Sequence, residues 1–337
     1  MNAMTLLLKR IFLFCSPFLL LTSIYIISDP YKIIYSYDNY NDEAIIFKNR
    51  DFVSTEMYLK NSKRFIYDSF IFGGSTAACV PPSIWEKYIN TSNYIFSFDA
   101  SVENIVGIWS KIKYIHKTAH PIKNALLVFD TDYSFKKFIN NDPIYMKHYK
   151  IYPSSRFDFQ YRFFLNFLNL KFLLTYLHYK VINRFYPYMT NVFINSYTSY
   201  DVVTNEMYAY GRINEMKEDS LKYYEKRKNL FELRSSKHLE INSQINEDQL
   251  RMLKEIKDIF VKDSTDFRIL ITPLFNQIAF NKKDLSILET MFGEKNVFDF
   301  SGNNEFTEKI SNYYDVFHFK PYVGAEILNI VYKSSNK

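Results

Sequence analysis

Two stretches near opposite ends of the chain carry residue types that can do nucleophilic chemistry. In the first, the apolar run 70–72 leads directly into Gly73, Gly74 and Ser75, although the 337 residues include only 7 glycines. Two glycines at a strand end let the backbone turn sharply and approach a ligand closely. A serine at the start of the next helix meets backbone N–H groups that lack partners. Ser75 is therefore a candidate nucleophile, and the alternative is a serine that only caps the helix in an ordinary turn.

The second stretch is Asp-x-x-His, formed by Asp315 and His318 just ahead of Pro321. Because proline can open a helix, the two side chains can lie on one face of the turn before it. The carboxylate can then orient the imidazole, and the imidazole can take a proton from a serine hydroxyl. The pattern predicts His318 as the general base for Ser75 and Asp315 as its orienting partner. The alternatives are a buried histidine bonded to backbone and an aspartate that caps the last helix.

The elements that must position these residues alternate between apolar runs and amphipathic stretches. The pattern predicts strands at 64–72, 93–98, 125–129, 267–272 and 296–300, and helices at 103–118, 246–261, 284–292 and from the Asp315–His318 loop to about 333. Such alternation is typical of a three-layer α/β/α fold with a mostly parallel sheet, whose ligands gather at the carboxyl ends of the strands. Ser75, Asp99, Asp130 and Pro273 all follow the ends of predicted strands.

With both motifs in this order, the chain resembles the SGNH (GDSL-type) hydrolase superfamily, over roughly 64–130 and 266–334. It looks most like the membrane-anchored bacterial branch that modifies cell-surface polysaccharides, typically by moving acetyl groups. The matching residues are Gly73, Gly74, Ser75, Asp315, His318, Pro321 and Gly324. The resemblance implies an SGNH/flavodoxin-like fold and a serine esterase or O-acetyltransferase that uses no cofactor or metal. It implies a glycan or acyl-ester substrate, with a membrane protein as a candidate acyl donor.

The resemblance also implies an oxyanion hole with three donors: the nucleophile's N–H, a glycine N–H after the second strand and an asparagine after the third. Here Ala100 takes the glycine position, and Asp130-Thr131-Asp132 takes that of the asparagine. An ionised carboxylate cannot donate to an oxyanion and repels it. Either these aspartates point elsewhere, or Asn276 or Gln277 substitutes. The departure favours an alternative function, a catalytically degenerate binding module of a polysaccharide export or modification system. The expected lining residues are Gly74, Ala100, Asp130, Asp132 and Asn276.

An uncharged run of 18 residues, 11–28, follows Lys9-Arg10 and ends at Asp29-Pro30. Its length suits a bilayer core, which takes about 20 apolar residues. The basic pair before the run predicts a cytoplasmic N-terminus and a main domain outside, in the periplasm or at the cell surface. The alternative is a cleaved signal peptide, but the run ends without a small-x-small cleavage site. We therefore expect a single-pass membrane protein with an uncleaved anchor.

The net charge and the cysteine content limit the kinds of partner that the sequence predicts. The net charge of +6 comes from interspersed residues without a basic run, so a nucleic-acid partner is not expected. Cys15 and Cys79 predict neither a disulfide nor a metal cluster. The expected organisation is 1–28 as cytoplasmic stub and anchor, 29–63 as a stalk or an irregular approach to the domain, 64–135 and 246–337 as the two parts of the main domain, and 136–245 as a largely helical insertion. Its aromatic stretch 163–177 is expected to be one helix, packed on the core or lying in the membrane interface.

Overall fold

A central parallel sheet organises the computed structural model, which describes residues 3–41, 46–118, 120–137, 142–193, 198–231, 234 and 239–334. The strands are β1 (Tyr67–Gly73), β2 (Tyr94–Asp99), β3 (Asn124–Phe129), β4 (Ser199–Tyr200), β5 (Met207–Tyr208), β6 (Asp266–Ile271) and β7 (Val297–Asp299). Five of them form the main sheet in the order β2-β1-β3-β6-β7, and every pair in it is parallel. The short strands β4 and β5 form a separate antiparallel pair.

The α-helices of the described chain connect and cover these strands. They are α1 (Ala3–Ser28), α2 (Arg50–Asn61), α3 (Pro82–Trp85), α4 (Ile105–Thr118), α5 (Arg156–Phe167), α6 (Leu170–Ile182), α7 (Tyr210–Glu218), α8 (Ser220–Glu225), α9 (Lys228–Phe231), α10 (Glu247–Asp263), α11 (Lys282–Phe292), α12 (Glu305–Glu308) and α13 (Pro321–Ser334).

Alternate residues of each central strand face opposite sides of the sheet, and each side carries its own apolar core. Phe70 and Phe72 of β1 belong to a cluster that includes residues of α2, α4, α10 and α11. Ile71 between them belongs to a second cluster that includes residues of α13. Because helices cover both faces, the strands are continuous apolar runs. The structure thus confirms the expected α/β fold with a mostly parallel sheet.

Helix α10 illustrates how local sequence sets these elements. The Asn246 side chain caps its first turn, and Gln249 returns a hydrogen bond to the Asn246 backbone. Leu253, Ile256 and Phe260 follow at helical spacing and are buried against the sheet. The crossover stretches α4 and α10 were both predicted, with ends that differ from the structure by two residues at most.

Two segments differ from expectation. The predicted stalk 29–63 contains α2, whose first turn is buried and whose Arg50 reaches the carboxyl end of β2. The expected single helix over 163–177 is part of two helices, α5 and α6, separated at Leu168–Asn169. The Asn169 side chain accepts the first free N–H groups of α6, so a polar residue that caps well divides a continuous aromatic pattern.

The N-terminal helix α1 is 26 residues long and contains a window of 18 residues with a mean hydropathy of 2.1. Only 6% of that window is buried within the protein, so most of its apolar surface faces outward. This length and apolarity are compatible with a membrane anchor or with a signal sequence.

Candidate active site

Strand β1 carries Ser75 to the carboxyl edge of the sheet. A Cβ atom on Gly73 would lie 2.4 Å from the Val128 carbonyl oxygen of β3, so only glycine fits where β1 leaves the sheet. Ser75 follows two residues later and is half-buried. A short 3₁₀ turn, Ala77–Cys79, comes after it in place of a long helix. The two glycines therefore end the strand tightly and leave the Ser75 side chain at the sheet edge.

The loop before α13 brings Asp315 and His318 to the same edge. The loop closes on itself, because the Tyr314 N–H donates to the His318 carbonyl oxygen over 2.8 Å. Helix α13 then packs against the backbone that follows Ser75: a Cβ atom on Gly324 would lie 2.4 Å from the Cys79 carbonyl oxygen. This close approach holds the loop and the Ser75 segment together.

The three predicted catalytic side chains form a continuous chain of hydrogen bonds. The Nε2 atom of His318 lies 2.9 Å from Ser75 Oγ. The Nδ1 atom of the same ring lies 2.8 and 3.0 Å from the two carboxylate oxygens of Asp315. Because the carboxylate accepts at Nδ1, it favours the tautomer whose Nε2 accepts a proton from the serine. The arrangement can pass the Ser75 hydroxyl proton to His318.

Asp315 is held ionised by more than the histidine. Burial raises the pKa of Asp315, but hydrogen bonding and charge from His318, the charge of Arg212 and the Phe317 N–H together hold it well below its usual range. The Arg212 Nη1 atom lies 2.8 Å from Asp315 Oδ2. Arg212 is in α7, within the insertion, and nothing in the sequence near it indicated a role in the site.

The backbone N–H of Ala100, an expected oxyanion donor, already forms a hydrogen bond within the protein. It donates to the Gly73 carbonyl oxygen over 3.2 Å, as part of the β1–β2 ladder. The N–H of Ser75 donates to no other residue that the structure describes. The N–H of Glu103 is also uncommitted among the described residues and lies 3.8 Å from where a Cβ on Gly74 would be. Val102, before it, has a left-handed φ of 54°, a costly conformation for a β-branched residue.

Asp130 lies next to Gly74 and is 5% exposed. Its Oδ1 atom accepts the N–H groups of Asp132 and Tyr133 at 2.8 and 2.7 Å. Its Oδ2 atom lies 3.4 Å from where a Cβ on Gly74 would be, one residue from the nucleophile. Burial raises the pKa of Asp130 to about 6, although the two backbone hydrogen bonds partly offset it. A carboxylic acid that is neutral below pH 6 therefore faces the nucleophile turn.

The remaining candidates lie away from this arrangement. The side-chain oxygen of Asn276 accepts the Ile278 N–H, and the Gln277 amide donates to Asn303. Among the described residues, no hydrogen bond joins either side chain to Ser75. Asp132 contributes its backbone N–H to Asp130, while burial raises the pKa of its own carboxyl.

A buried polar cluster beside β2 was not foreseen. Arg50 forms two hydrogen bonds with Asp99, at 2.9 and 2.7 Å, and its guanidinium lies 3.6 Å from the Tyr200 ring centroid. Asn205 donates to Asp99 and accepts from Arg50. The position of Asp99 at a strand end was the only sequence signal, because its partners come from the stalk and the insertion.

Possible metal ligands and related proteins do not identify a further function for this site. Within the described ranges, no group of three or more His, Cys, Asp or Glu side chains is placed to hold a metal ion. Cys15 and Cys79 are free thiols, and burial raises the pKa of Cys79 well above its usual range. The chain matches no family model and no curated protein sequence.

Proposed function

We propose that the protein is a serine esterase or O-acyltransferase of the SGNH (GDSL-type) kind, with acyl esters or hydroxyl groups of glycans as its substrates. The observation that carries the proposal is the Ser75–His318–Asp315 chain of hydrogen bonds, at 2.9 and 2.8 Å. The glycan substrate is supported by the family resemblance of the sequence, in which the two motifs stand in the same order.

The proposed reaction begins when Ser75 Oγ attacks the acyl carbonyl carbon and its proton passes to His318 Nε2. The tetrahedral intermediate collapses, the bond to the leaving alkoxide breaks, and the imidazolium returns the proton to that alkoxide. Ser75 is left as an acyl ester. Water or a sugar hydroxyl then attacks the ester with His318 as base, which completes hydrolysis or transfer and regenerates Ser75.

The intermediate's oxyanion needs donors, and three groups around Gly74 are suited to the task. The N–H groups of Ser75 and Glu103 are the backbone candidates, with Glu103 in place of the expected Ala100. Neutral Asp130 is the third, because its Oδ1 already accepts two N–H groups and its Oδ2 faces Gly74. A buried carboxylic acid in its neutral form donates a hydrogen bond where an asparagine amide otherwise would.

One observation favours the alternative, a degenerate SGNH-like module that binds polysaccharide or a partner protein. The Ala100 N–H is tied to the sheet, and Asp130 becomes an anion above pH 6. A site that repels its own oxyanion near neutral pH binds without turning over. The two functions differ in whether Ser75 becomes acylated.

The cellular placement is part of the proposal. Helix α1 serves as an uncleaved anchor whose N-terminus is cytoplasmic, because Lys9 and Arg10 precede its long uncharged run. The main domain is then in the periplasm or at the cell surface. A membrane protein that presents an acyl group is the partner that a transferase of this kind requires.

The proposal is tested on the full chain in detergent or nanodiscs, with a fluorophosphonate as the covalent probe. We expect mass spectrometry to find the adduct on Ser75, and we expect Ser75→Ala to abolish it while Ser62→Ala, an exposed serine after α2, keeps it. Acetyl release from an aryl acetate and transfer to oligosaccharides then separate esterase from transferase. An unmodified Ser75 beside a fully labelled control hydrolase contradicts the nucleophile assignment and supports the binding module.

A further inference from the structure

We propose that α5 and α6 lie in the interfacial layer of the membrane beside α1, with lipid covering their outward apolar face. The inference rests on α1 being the proposed anchor, and it goes beyond the enzyme's chemistry. It commits to a lipid surface as the occupant of that face; a second protein copy is an outcome of the test.

Both helices present apolar side chains to solvent at helical spacing. Positions 157, 161 and 165 of α5 are four residues apart and lie on one face, and positions 170, 174 and 181 of α6, four and seven residues apart, also share a face. The exposed fractions are 79% for Phe157, 49% for Tyr161, 47% for Leu165, 68% for Leu170, 58% for Leu174 and 80% for Val181. Their opposite faces are packed in the third apolar cluster, which includes Phe163, Phe167 and Tyr176. Apolar side chains thus occupy two faces of these helices, one packed on protein and one uncovered, and a helix that is apolar on more than one face is covered by protein or by lipid.

The apolar face continues from the anchor. The Phe164 ring of α5 lies 5.8 Å from Phe18 and 5.2 Å from Tyr25 of α1, between ring centroids, and Phe167 lies 5.2 Å from Tyr25. Phe18 is ten residues before the end of α1 at Ser28, which corresponds to about 15 Å along a helix. The contacts of α5 therefore fall along the carboxyl-terminal part of α1, from Phe18 to Tyr25, next to the end at which the proposed anchor leaves the bilayer. If α1 crosses the bilayer, the carboxyl end of α5 must meet lipid.

The charge of this region matches an anionic lipid surface. From 156 to 200 the basic side chains are Arg156, Arg162, Lys171, Lys180 and Arg184, and the only acidic one is Asp158, which forms an ion pair with Arg162 over 2.8 Å. Basic residues at the border of an apolar face extend their charges toward lipid head groups. The interfacial arrangement therefore explains both the uncovered apolar residues and the excess of basic over acidic residues.

The same contacts connect the membrane face to the candidate active site. Phe52, in the first turn of α2, stacks on Phe159 of α5 with a centroid separation of 5.4 Å. In that same turn Arg50 binds Asp99 at the carboxyl end of β2. Because the sheet is parallel, Ser75 lies at this same edge. The proposed arrangement thus places the catalytic edge on the membrane side, within reach of an acyl donor carried in the bilayer.

The test uses the full chain in proteoliposomes that contain phosphatidylglycerol, with a Cys15→Ala background and single cysteines labelled with an environment-sensitive fluorophore. Val181→Cys probes α6. Val261→Cys is the matched control, because Val261 is also an exposed helical valine, at 68%, but lies near the end of α10 that leads into the amino end of β6. Leu20→Cys, 62% exposed in α1, reports the anchor itself. Cys79 is fully buried and stays in place.

We expect lipids with brominated acyl chains to quench the probes at 20 and 181 but not at 261. Quenching at 20 without quenching at 181 overturns the interfacial placement and leaves the anchor intact. A blue-shifted probe at 181 that brominated lipid does not quench also overturns it, because protein, such as a second copy, then covers the face. If neither 20 nor 181 is quenched, the anchor and the interfacial placement fall together, while fluorophosphonate labelling of Ser75 still decides the enzymatic proposal.

Discussion

The Nε2 atom of His318 lies 2.9 Å from the Oγ atom of Ser75, across 243 positions of sequence. Two features bring these atoms together. Gly73 ends β1 without a Cβ that would clash with Val128 of β3, and Gly324 lets α13 approach the backbone of Cys79. Ser75 and His318 thus lie on two separate segments of the chain, which approach each other closely through the backbone of Cys79 and helix α13.

Asp315→Asn is expected to lower acylation of Ser75 by about 10⁴-fold, because an amide at this place favours the wrong imidazole tautomer. The measurement is the rate of fluorophosphonate labelling at a pH where wild type is fully active, with Ser75→Ala as the zero. A variant that folds normally and labels at the wild-type rate contradicts the role of Asp315.

Arg212→Met is expected to slow labelling by up to about tenfold, since a partly exposed ion pair contributes about 1 kcal/mol. Removal of the Arg212 charge should also change how the stability of the protein depends on pH. The Arg212 charge helps to hold the pKa of Asp315 low, so its removal raises that pKa. The carboxylate is then protonated at a higher pH, so the acid limb of the stability profile, which is the free energy of unfolding measured against pH, begins its rise at a higher pH. Arg212→Lys keeps the charge and should keep the limb near its wild-type position; equal shifts in both variants contradict the charge argument.

Asp130→Asn is expected to accelerate labelling at pH 8 and to change it little at pH 5. With a pKa of about 6, Asp130 is neutral and can donate at pH 5 but is an anion at pH 8. An asparagine donates at both, and one oxyanion donor is worth about 100- to 1000-fold in rate. The ratio of the variant rate to the wild-type rate should therefore rise as pH rises through 6, because His318 acts in both proteins and only Asp130 differs. Identical profiles for the two proteins would exclude Asp130 from the oxyanion hole.

Gly324→Ala tests the contact between α13 and the nucleophile segment. The added methyl group meets the Cys79 carbonyl oxygen at 2.4 Å, so the helix or the backbone must shift. We expect a loss of about 1–3 kcal/mol in the free energy of unfolding, as for other overpacked sites, together with slower labelling of Ser75. Glu326→Ala, on the exposed face of the same helix, is the control and should change neither quantity. An unaffected Gly324→Ala shows that α13 can move away without disturbing the site.

Much of the sheet could be predicted from the sequence, because each central strand is a short apolar run and each crossover helix has its own periodicity. Ser75, Asp315 and His318 could be selected for a similar reason, because each of the two motifs that contain them is a short stretch of sequence. The order of the two motifs along the chain carried the family resemblance, and the resemblance implied that they meet. Helix ends that depend on a single capping residue were harder to predict from the sequence. Asn169 divides the aromatic stretch 163–177 through hydrogen bonds that hydrophobic periodicity does not register.

Partners that meet only through tertiary structure could not be predicted. Arg212 reaches Asp315 from the insertion, and Arg50 reaches Asp99 from a segment that was expected to be a stalk. The second backbone donor also depends on conformation. We propose Glu103 in place of Ala100 because the β1–β2 ladder uses the Ala100 N–H and because Val102 adopts a left-handed φ, which no apolar pattern indicates.

The last prediction concerns stability and does not depend on catalysis. The pKa of Asp130 rises from 3.8 to about 6 in the folded protein, so the folded state prefers the neutral acid. Below pH 3.8 this preference does not lower the free energy of unfolding, because the Asp130 carboxyl is protonated in the unfolded chain too. As pH rises toward 6, the unfolded state gains by ionising first, and the folded protein loses about 3 kcal/mol relative to an uncharged side chain. Above pH 6 the loss is constant.

Asp130→Asn removes the ionisable group but keeps an oxygen that can accept the N–H groups of Asp132 and Tyr133. We therefore expect the variant to exceed wild type in unfolding free energy by up to about 3 kcal/mol at pH 8, with the difference vanishing near pH 4. Thermal or denaturant unfolding of the full chain in detergent across this pH range measures it. Asp258→Asn, at an exposed position of α10, controls for the general effect of removing a negative charge. A variant that is less stable than wild type at pH 8 would mean that the folded protein uses the Asp130 anion, which contradicts its proposed role as a neutral donor.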